Sequence, residues 1–153
     1  MPNSTRAALR LQDYLPYRLS VAANAVSRLV ARSYERQFGL RNPQWRLLAV
    51  LADEGALTQQ ALCRRTLMDK VTVMRAAQSL LRRRLVRRLP NDADGRSHQL
   101  VLTIAGKRLY RRIVPCALAY EAQLLEGIGS QAIVRFDQML RRLERRASDG
   151  DKS

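Results

Sequence analysis

The sequence predicts a mainly α-helical fold with one small β-wing. Three observations carry this reading. Apolar residues recur every three to four positions along most of the 153-residue chain. The period shortens to two around Val86 and Leu89 and again at Leu100 and Leu102. Between those two stretches lies Pro90-Asn91-Asp92-Ala93-Asp94-Gly95, a run of turn formers suited to the tip of a hairpin. The length fits one domain of roughly 100–200 residues, so residues 1–153 are read as a single unit.

The first helix is expected from Leu15, where Leu19, Ala22, Val26, Leu29 and Val30 share one face, to the stop supplied by Gly39. Asn42-Pro43 reads as an N-cap with proline at the first helical position. It opens a second helix that carries Trp45, Leu48 and Leu51 and ends at Asp53-Glu54-Gly55. Thr58 caps a short third helix running to about Thr66, with Leu57 and Leu62 placed as a hydrophobic staple. Asp69 caps a fourth, whose Val73, Ala76, Ala77 and Leu80 form a core-facing stripe. After the hairpin, Thr103 caps a long helix from Ile104 that Pro115 should kink or divide. A last helix from about Ser130 is expected to bury Ile133, Phe136, Leu140 and Leu143. The ends, Met1–Thr5 and Ala147–Ser153, are small or polar and are expected to fray.

Short helix, tight turn, second helix and two-stranded wing together make a winged helix-turn-helix, and the charge lies where that unit lies. The chain holds 28 Lys+Arg against 13 Asp+Glu, a net +15. Only Lys70, Lys107 and Lys152 are lysines, so arginine, whose planar fork matches phosphates and guanine edges, supplies the rest. Between Thr58 and Arg112 there are 14 cations against Asp69, Asp92 and Asp94, which concentrates +11 of the total in that window. Such a surface binds double-stranded DNA by releasing its counterions.

The same inspection excludes other classes. No apolar run reaches the roughly 18–20 residues needed to cross a bilayer, and no charged-then-apolar leader opens the chain. With two cysteines, Cys63 and Cys116, and no disulfide framework, the expected compartment is the cytoplasm. There is no glycine-rich phosphate loop, no metal-ligand spacing and no Ser/Cys–His–Asp set, so no catalytic residue, metal or cofactor is assigned. His98, the single histidine, reads as a solvent-facing wing residue.

Three separated segments resemble the MarR family of bacterial regulators. They are Gln44-Trp45-Arg46-Leu47-Leu48-Ala49-Val50-Leu51; Leu57-Thr58 through Met68-Asp69-Lys70-Val71-Thr72-Val73; and Asp94-Gly95-Arg96 followed by Leu100-Val101-Leu102-Thr103-Ile104-Ala105-Gly106. They occur in that family's order, and the resemblance covers about Leu15 to Leu143. It implies a homodimer held by N- and C-terminal dimerisation helices, about residues 10–38 and 113–147, around a DNA-binding region at about 42–112. It also implies a palindromic operator, repression, and release by a small ligand; Pro115 is read as the joint between dimer core and reading head that such release would use.

Carried over position by position, the recognition helix would run from Asp69 to about Arg83. Lys70, Val71, Thr72, Met74, Arg75 and Gln78 would then face the major groove, Arg96 would enter the minor groove, and Asp94 would orient an arginine. Val71 and Met74 depart from the small hydroxyl residues usual in the family, which admits contact with thymine methyls. Arg84 stands where a glycine is usual, at an expected left-handed cap.

Several residues carry two readings. Arg82, Arg83 and Arg84 with Arg87 and Arg88 are either a solvated face or phosphate contacts, and their place after the recognition helix favours the latter. Thr72 either caps its helix or reads a base. Tyr14, Tyr17, Tyr34 and Trp45 are core or interface residues; alternatively, the resemblance implies a pocket for a small aromatic acid, lined by Trp45 and Tyr34, whose carboxylate meets Arg46 or Arg18. Cys63 and Cys116 are small packed residues or redox sensors. Two further functions follow from these readings: a non-specific basic nucleic-acid-binding protein, and a cysteine-based redox-sensing regulator.

Overall fold

The computed structural model describes residues 9–150. After a single 3-10 turn at Leu11–Asp13, six helices and three strands follow: α1 (Leu15–Phe38), α2 (Asn42–Glu54), β1 (Leu57–Thr58), α3 (Gln59–Thr66), α4 (Lys70–Arg82), β2 (Val86–Pro90), β3 (His98–Leu102), α5 (Ile104–Leu124) and α6 (Ser130–Gly150). The expected fraying of Met1–Thr5 falls outside the described residues. At the other end Ala147–Gly150 continue α6 instead of fraying.

The chain divides into two compact units, residues 1–115 and 116–153. In the first, α2, α3 and α4 pack on one another around Leu47, Leu48, Leu51, Leu62, Val73, Ala77 and Leu80, all buried. The predicted inner stripe of α4 is the buried face observed: Val73, Ala76, Ala77 and Leu80. At about 25 cal/mol per Å² of apolar surface, burying that stripe outweighs the weak helix propensity of its valine.

The hairpin is present, and its register pairs Val86 with Leu102 and Arg88 with Leu100. It gains a strand that the sequence reading lacked. Leu57 and Thr58 form β1, and Leu57 pairs with Leu100, so the sheet runs β1-β3-β2. Two residues are too few to show a period, and their partner lies 43 positions away, so no local signal marks this strand.

Other boundaries moved slightly. The N-cap of α2 is Arg41 rather than Asn42; the Arg41 backbone N–H donates to Gln44 Oε1 at 2.9 Å, and Pro43 takes the second helical position. Gly39 ends α1 in a left-handed conformation, φ 61°, as its placement predicts. α5 is not divided by Pro115 but runs through it. A proline there removes one backbone donor, a loss that a single exposed turn can leave to water.

The second unit contains the end of α5 and α6, which buries none of its residues. Burial of Ile133, Phe136, Leu140 and Leu143 is therefore not what one chain supplies: Phe136 is 55% exposed and the other three are half-buried. α1 likewise buries only Tyr34, and Val26 and Leu29 of its apolar face are open. No helix among the described residues is long and apolar enough to cross a membrane.

Candidate nucleic-acid interface

The fourth helix begins on a well-made cap. Asp69 Oδ1 accepts the Thr72 backbone N–H at 2.8 Å and Asp69 Oδ2 accepts the Thr72 hydroxyl at 2.6 Å. These two bonds favour the ionised carboxylate and hold the Asp69 pKa below its ordinary value. Thr72 thus serves the cap, one of its two anticipated roles, and its hydroxyl proton is committed there. The preceding cap is local too, with Thr58 Oγ1 accepting the Ala61 N–H at 3.2 Å. Between the two helices Leu67 makes the turn in a left-handed conformation, φ 54°, with 90% of its surface exposed. Neither glycine nor asparagine marks that position, so the sequence carried no signal for it.

With Val73, Ala76, Ala77 and Leu80 turned inward, the opposite face of α4 presents Lys70, Val71, Met74, Arg75, Gln78 and Arg82, all exposed. The structure therefore brings together the predicted groove-facing residues other than Thr72, which is half-buried. α4 is held at this angle by Gln44 Nε2, which donates to Ser79 Oγ at 2.7 Å. A cleft of about 490 Å³ opens between the start of α2 and α4, and Arg41, Arg75 and Arg82 stand around it. Arg41 was not among the predicted contacts; it lies outside the helix-turn-helix in sequence and reaches the cleft only through packing.

The wing tip is ordered by its own polar groups. Asn91 Nδ2 donates to Ser97 Oγ at 2.7 Å, and the Asp94 backbone N–H donates to the Asn91 carbonyl at 3.2 Å. Asp94 Oδ1 accepts the backbone N–H of Arg96 at 3.0 Å, so the carboxylate orients this arginine through its main chain. Arg96 itself is exposed at the tip.

The arginine run divides by role. Arg83 turns away from the groove-facing side, donating from Nη1 to the Gly39 carbonyl at 2.8 Å and from Nη2 to that of Phe38 at 3.0 Å. It caps the C-terminus of α1, where a cation suits the helix dipole, and this engagement replaces the phosphate contact read for it. Arg82, Arg84, Arg87 and Arg88 line a second cleft, of about 620 Å³, between the end of α4 and β2.

Of the four residues assigned to a ligand pocket, two meet. The Tyr34 and Trp45 rings lie 5.1 Å apart, tilted by 52°, and Trp45 stacks on Tyr110 at 5.8 Å. Tyr110, from α5, was not anticipated, because nothing local ties it to Trp45. Arg46 is exposed, and Arg18 reaches back to the Gln12 carbonyl at 3.5 Å. Tyr14 and Tyr17 are open to solvent, and Cys63 and Cys116 are each half-buried and not joined in a disulfide. His98 is exposed at the start of β3, and among the described residues no group of three or more His, Cys, Asp or Glu is placed to hold a metal.

Comparison with known proteins bears on this geometry directly. The model of the MarR family matches residues 38–97, the segment that holds the helix-turn-helix and most of the wing. The chain is similar to the HTH-type transcriptional repressor NicR of Pseudomonas putida, 25% identical over 141 residues that cover 86% of this chain and 87% of that one. Among solved structures it resembles Bordetella bronchiseptica BpsR, described for the regulation of its DNA binding by 6-hydroxynicotinic acid, with a TM-score of 0.82 at 22% identity over 90% of this chain and 98% of that one. It also resembles Sco3205 of Streptomyces coelicolor, a MarR family transcriptional regulator solved in complex with DNA, with a TM-score of 0.80 at 20% identity over 93% and 91% of the two chains. The MarR family model thus matches the winged segment of this chain, and the chain has the fold seen in transcriptional regulators of that family.

Proposed function

We propose that this protein is a sequence-specific DNA-binding transcriptional regulator, a repressor that binds a palindromic operator as a homodimer and releases it on binding a small ligand. One observation carries the reading. The exposed face of α4 offers Lys70, Arg75, Gln78 and Arg82 around Val71 and Met74, on a helix whose other face is buried and whose start is capped. Arg75 suits the O6 and N7 acceptors of guanine, Gln78 suits adenine, and the apolar pair suits thymine methyls. Arg96 on the wing suits a narrow minor groove.

The dimer is supported by the open apolar faces of α1 and α6, the helices within the proposed dimerisation segments 10–38 and 113–147. Val134, Phe136 and Met139 on α6 are each more than half exposed. The DNA-binding region is the segment 42–112. Control by a small aromatic acid draws support from the regulation described for BpsR and from the Tyr34–Trp45–Tyr110 stack, which a flat ligand could enlarge or displace. Repression follows the description of NicR, and the cytoplasm is where such a regulator works.

The test is selection of duplexes from a random pool by the full chain, followed by gel shift. An enriched inverted repeat, bound far more tightly than random duplex at matched salt and weakened by Arg96→Ala in a protein that remains dimeric, is the expected result. Equal affinity for random and selected DNA would leave a non-specific basic protein and overturn the proposal.

A further inference from the structure

The recognition helix ends in a turn that glycine would make without strain, and arginine makes it instead. Arg84 has φ 55°. Its backbone N–H donates to the Leu81 carbonyl at 2.9 Å and that of Leu85 donates to the Leu80 carbonyl at 3.0 Å, the paired bonds of a Schellman motif with Arg84 at the left-handed position. The surroundings hold it there. The Thr103 hydroxyl donates to the Arg84 carbonyl at 2.7 Å and lies 3.1 Å from that of Leu85, while the Gly106 N–H donates to the same hydroxyl at 3.1 Å. Gly106 must lack a side chain, because a Cβ there would collide with the Leu85 carbonyl oxygen. A residue with a Cβ is disfavoured in this conformation and glycine is not.

What Arg84 adds in return is a side chain in the 620 Å³ cleft, which it shares with Arg82, Arg87 and Arg88. None of these four guanidinium groups has a carboxylate or hydrogen-bond partner among the described residues. Four like charges lining one cleft repel one another, and an anion is the group that relieves this. A left-handed backbone held at a residue that dislikes it, beside unpaired cations, is the pattern of strain retained for binding.

Resting on the function proposed above, we propose that this cleft is an anion site that seats a backbone phosphate of the DNA strand crossing between recognition helix and wing, and that Arg84 is one of its binding cations. Arg82 approaches from α4, while Arg87 and Arg88 approach from β2. The site reads no sequence; it holds the two reading elements in register on one strand.

The experiment compares the full chain with Arg84→Gly, Arg84→Asn and Arg84→Lys, using thermal melting and salt titrations of binding to the selected duplex and to random duplex. Arg84→Gly is expected to melt about 2–4 °C higher, since the strain is gone. It should nevertheless bind both duplexes more weakly by the same factor, about fivefold near 0.15 M salt, with the salt slope shallower by about 0.9. Arg84→Asn, which tolerates the left-handed turn without the charge, should show the same loss, and Arg84→Lys should restore most of it. Unchanged affinity and slope in Arg84→Gly and Arg84→Asn, with wild type binding normally, would overturn the proposal alone; a wild type with no preference for the selected duplex would overturn the function instead. Inorganic phosphate that stabilises wild type but not the glycine variant, with duplex affinity unchanged between them, would assign the site to a free anion and overturn the DNA assignment.

Discussion

Arg83 at the end of the recognition helix grips the carbonyl of Gly39, 44 residues earlier, at 2.8 Å. The second nitrogen of the same guanidinium takes the Phe38 carbonyl, so one side chain ties α4 to the C-terminus of α1. Its neighbour Arg82 lines both clefts and holds no partner among the described residues. The two residues therefore separate by measurement. Arg83→Ala should lower stability by about 1 kcal/mol, read as a lower urea midpoint, with the salt dependence of DNA binding unchanged. Arg82→Ala should leave the midpoint in place and make the salt slope shallower by about 0.9. Arg83→Lys should recover only part of the stability, because an ammonium cannot span two carbonyls as the planar fork does.

Arg75 and Arg96 are expected to fail differently. If Arg75 makes a paired contact to guanine, Arg75→Ala should cost about 1–3 kcal/mol on the selected duplex and relax the preference at one base pair per half-site. Arg96→Ala should weaken binding most where the minor groove is narrow, so replacing a flanking A·T tract by G·C should matter less to the variant than to wild type. Competition gel shifts across a panel of single-base-pair variants check both.

Val71 and Met74 share the exposed face of α4 and are 50% and 38% exposed. An apolar pair among cations has one natural partner in the major groove, the thymine C5-methyl group. Replacing thymine by deoxyuridine, one position at a time, should therefore weaken wild-type binding at one or two positions of each half-site. In Val71→Ala and Met74→Ala that sensitivity should shrink. A selected duplex that tolerates deoxyuridine throughout would remove the methyl readout while leaving the arginine contacts in place.

The Asp69 cap makes a prediction about pH. Its carboxyl pKa is lowered from 3.8, first by the hydrogen bond from the Thr72 hydroxyl and then by the one from the Thr72 backbone. A depressed carboxyl stabilises the fold in full above its unfolded value, and that contribution is lost as the pH falls through the lower folded value. Melting temperature should thus decline below about pH 3.8, more shallowly in Asp69→Asn than in wild type. At neutral pH, Asp69→Ala should melt lower and bind the selected duplex more weakly, because the first turn carrying Lys70 and Val71 loses its cap.

Much of this was legible along the chain, and particular residues show why. Thr58, Asp69 and Thr103 each accept the N–H of the residue three positions on, a bond whose two partners both stand in a four-residue window. The Val73–Ala76–Ala77–Leu80 stripe needs only helical spacing to be seen. Leu67 escaped notice for the complementary reason: its left-handed turn is made by a residue that carries no turn signal. The one-residue displacement of the α2 cap from Asn42 to Arg41 shows a local rule at its limit, since Gln44 takes over the capping bond.

By itself, the sequence determined the order of the helices and the hairpin, the caps at Thr58, Asp69 and Thr103, the inner and outer faces of the fourth helix, and the place of the positive charge, because each depends on neighbours within a turn or two. Tertiary structure alone decided that Leu57 joins the wing sheet at Leu100, that Arg83 serves α1, that Tyr110 stacks on Trp45, and that Arg84 shares a cleft with Arg82, Arg87 and Arg88. The first three of those pairings join residues tens of positions apart, and no spacing rule reaches that far: they exist only once buried apolar surface has brought the helices and the wing together.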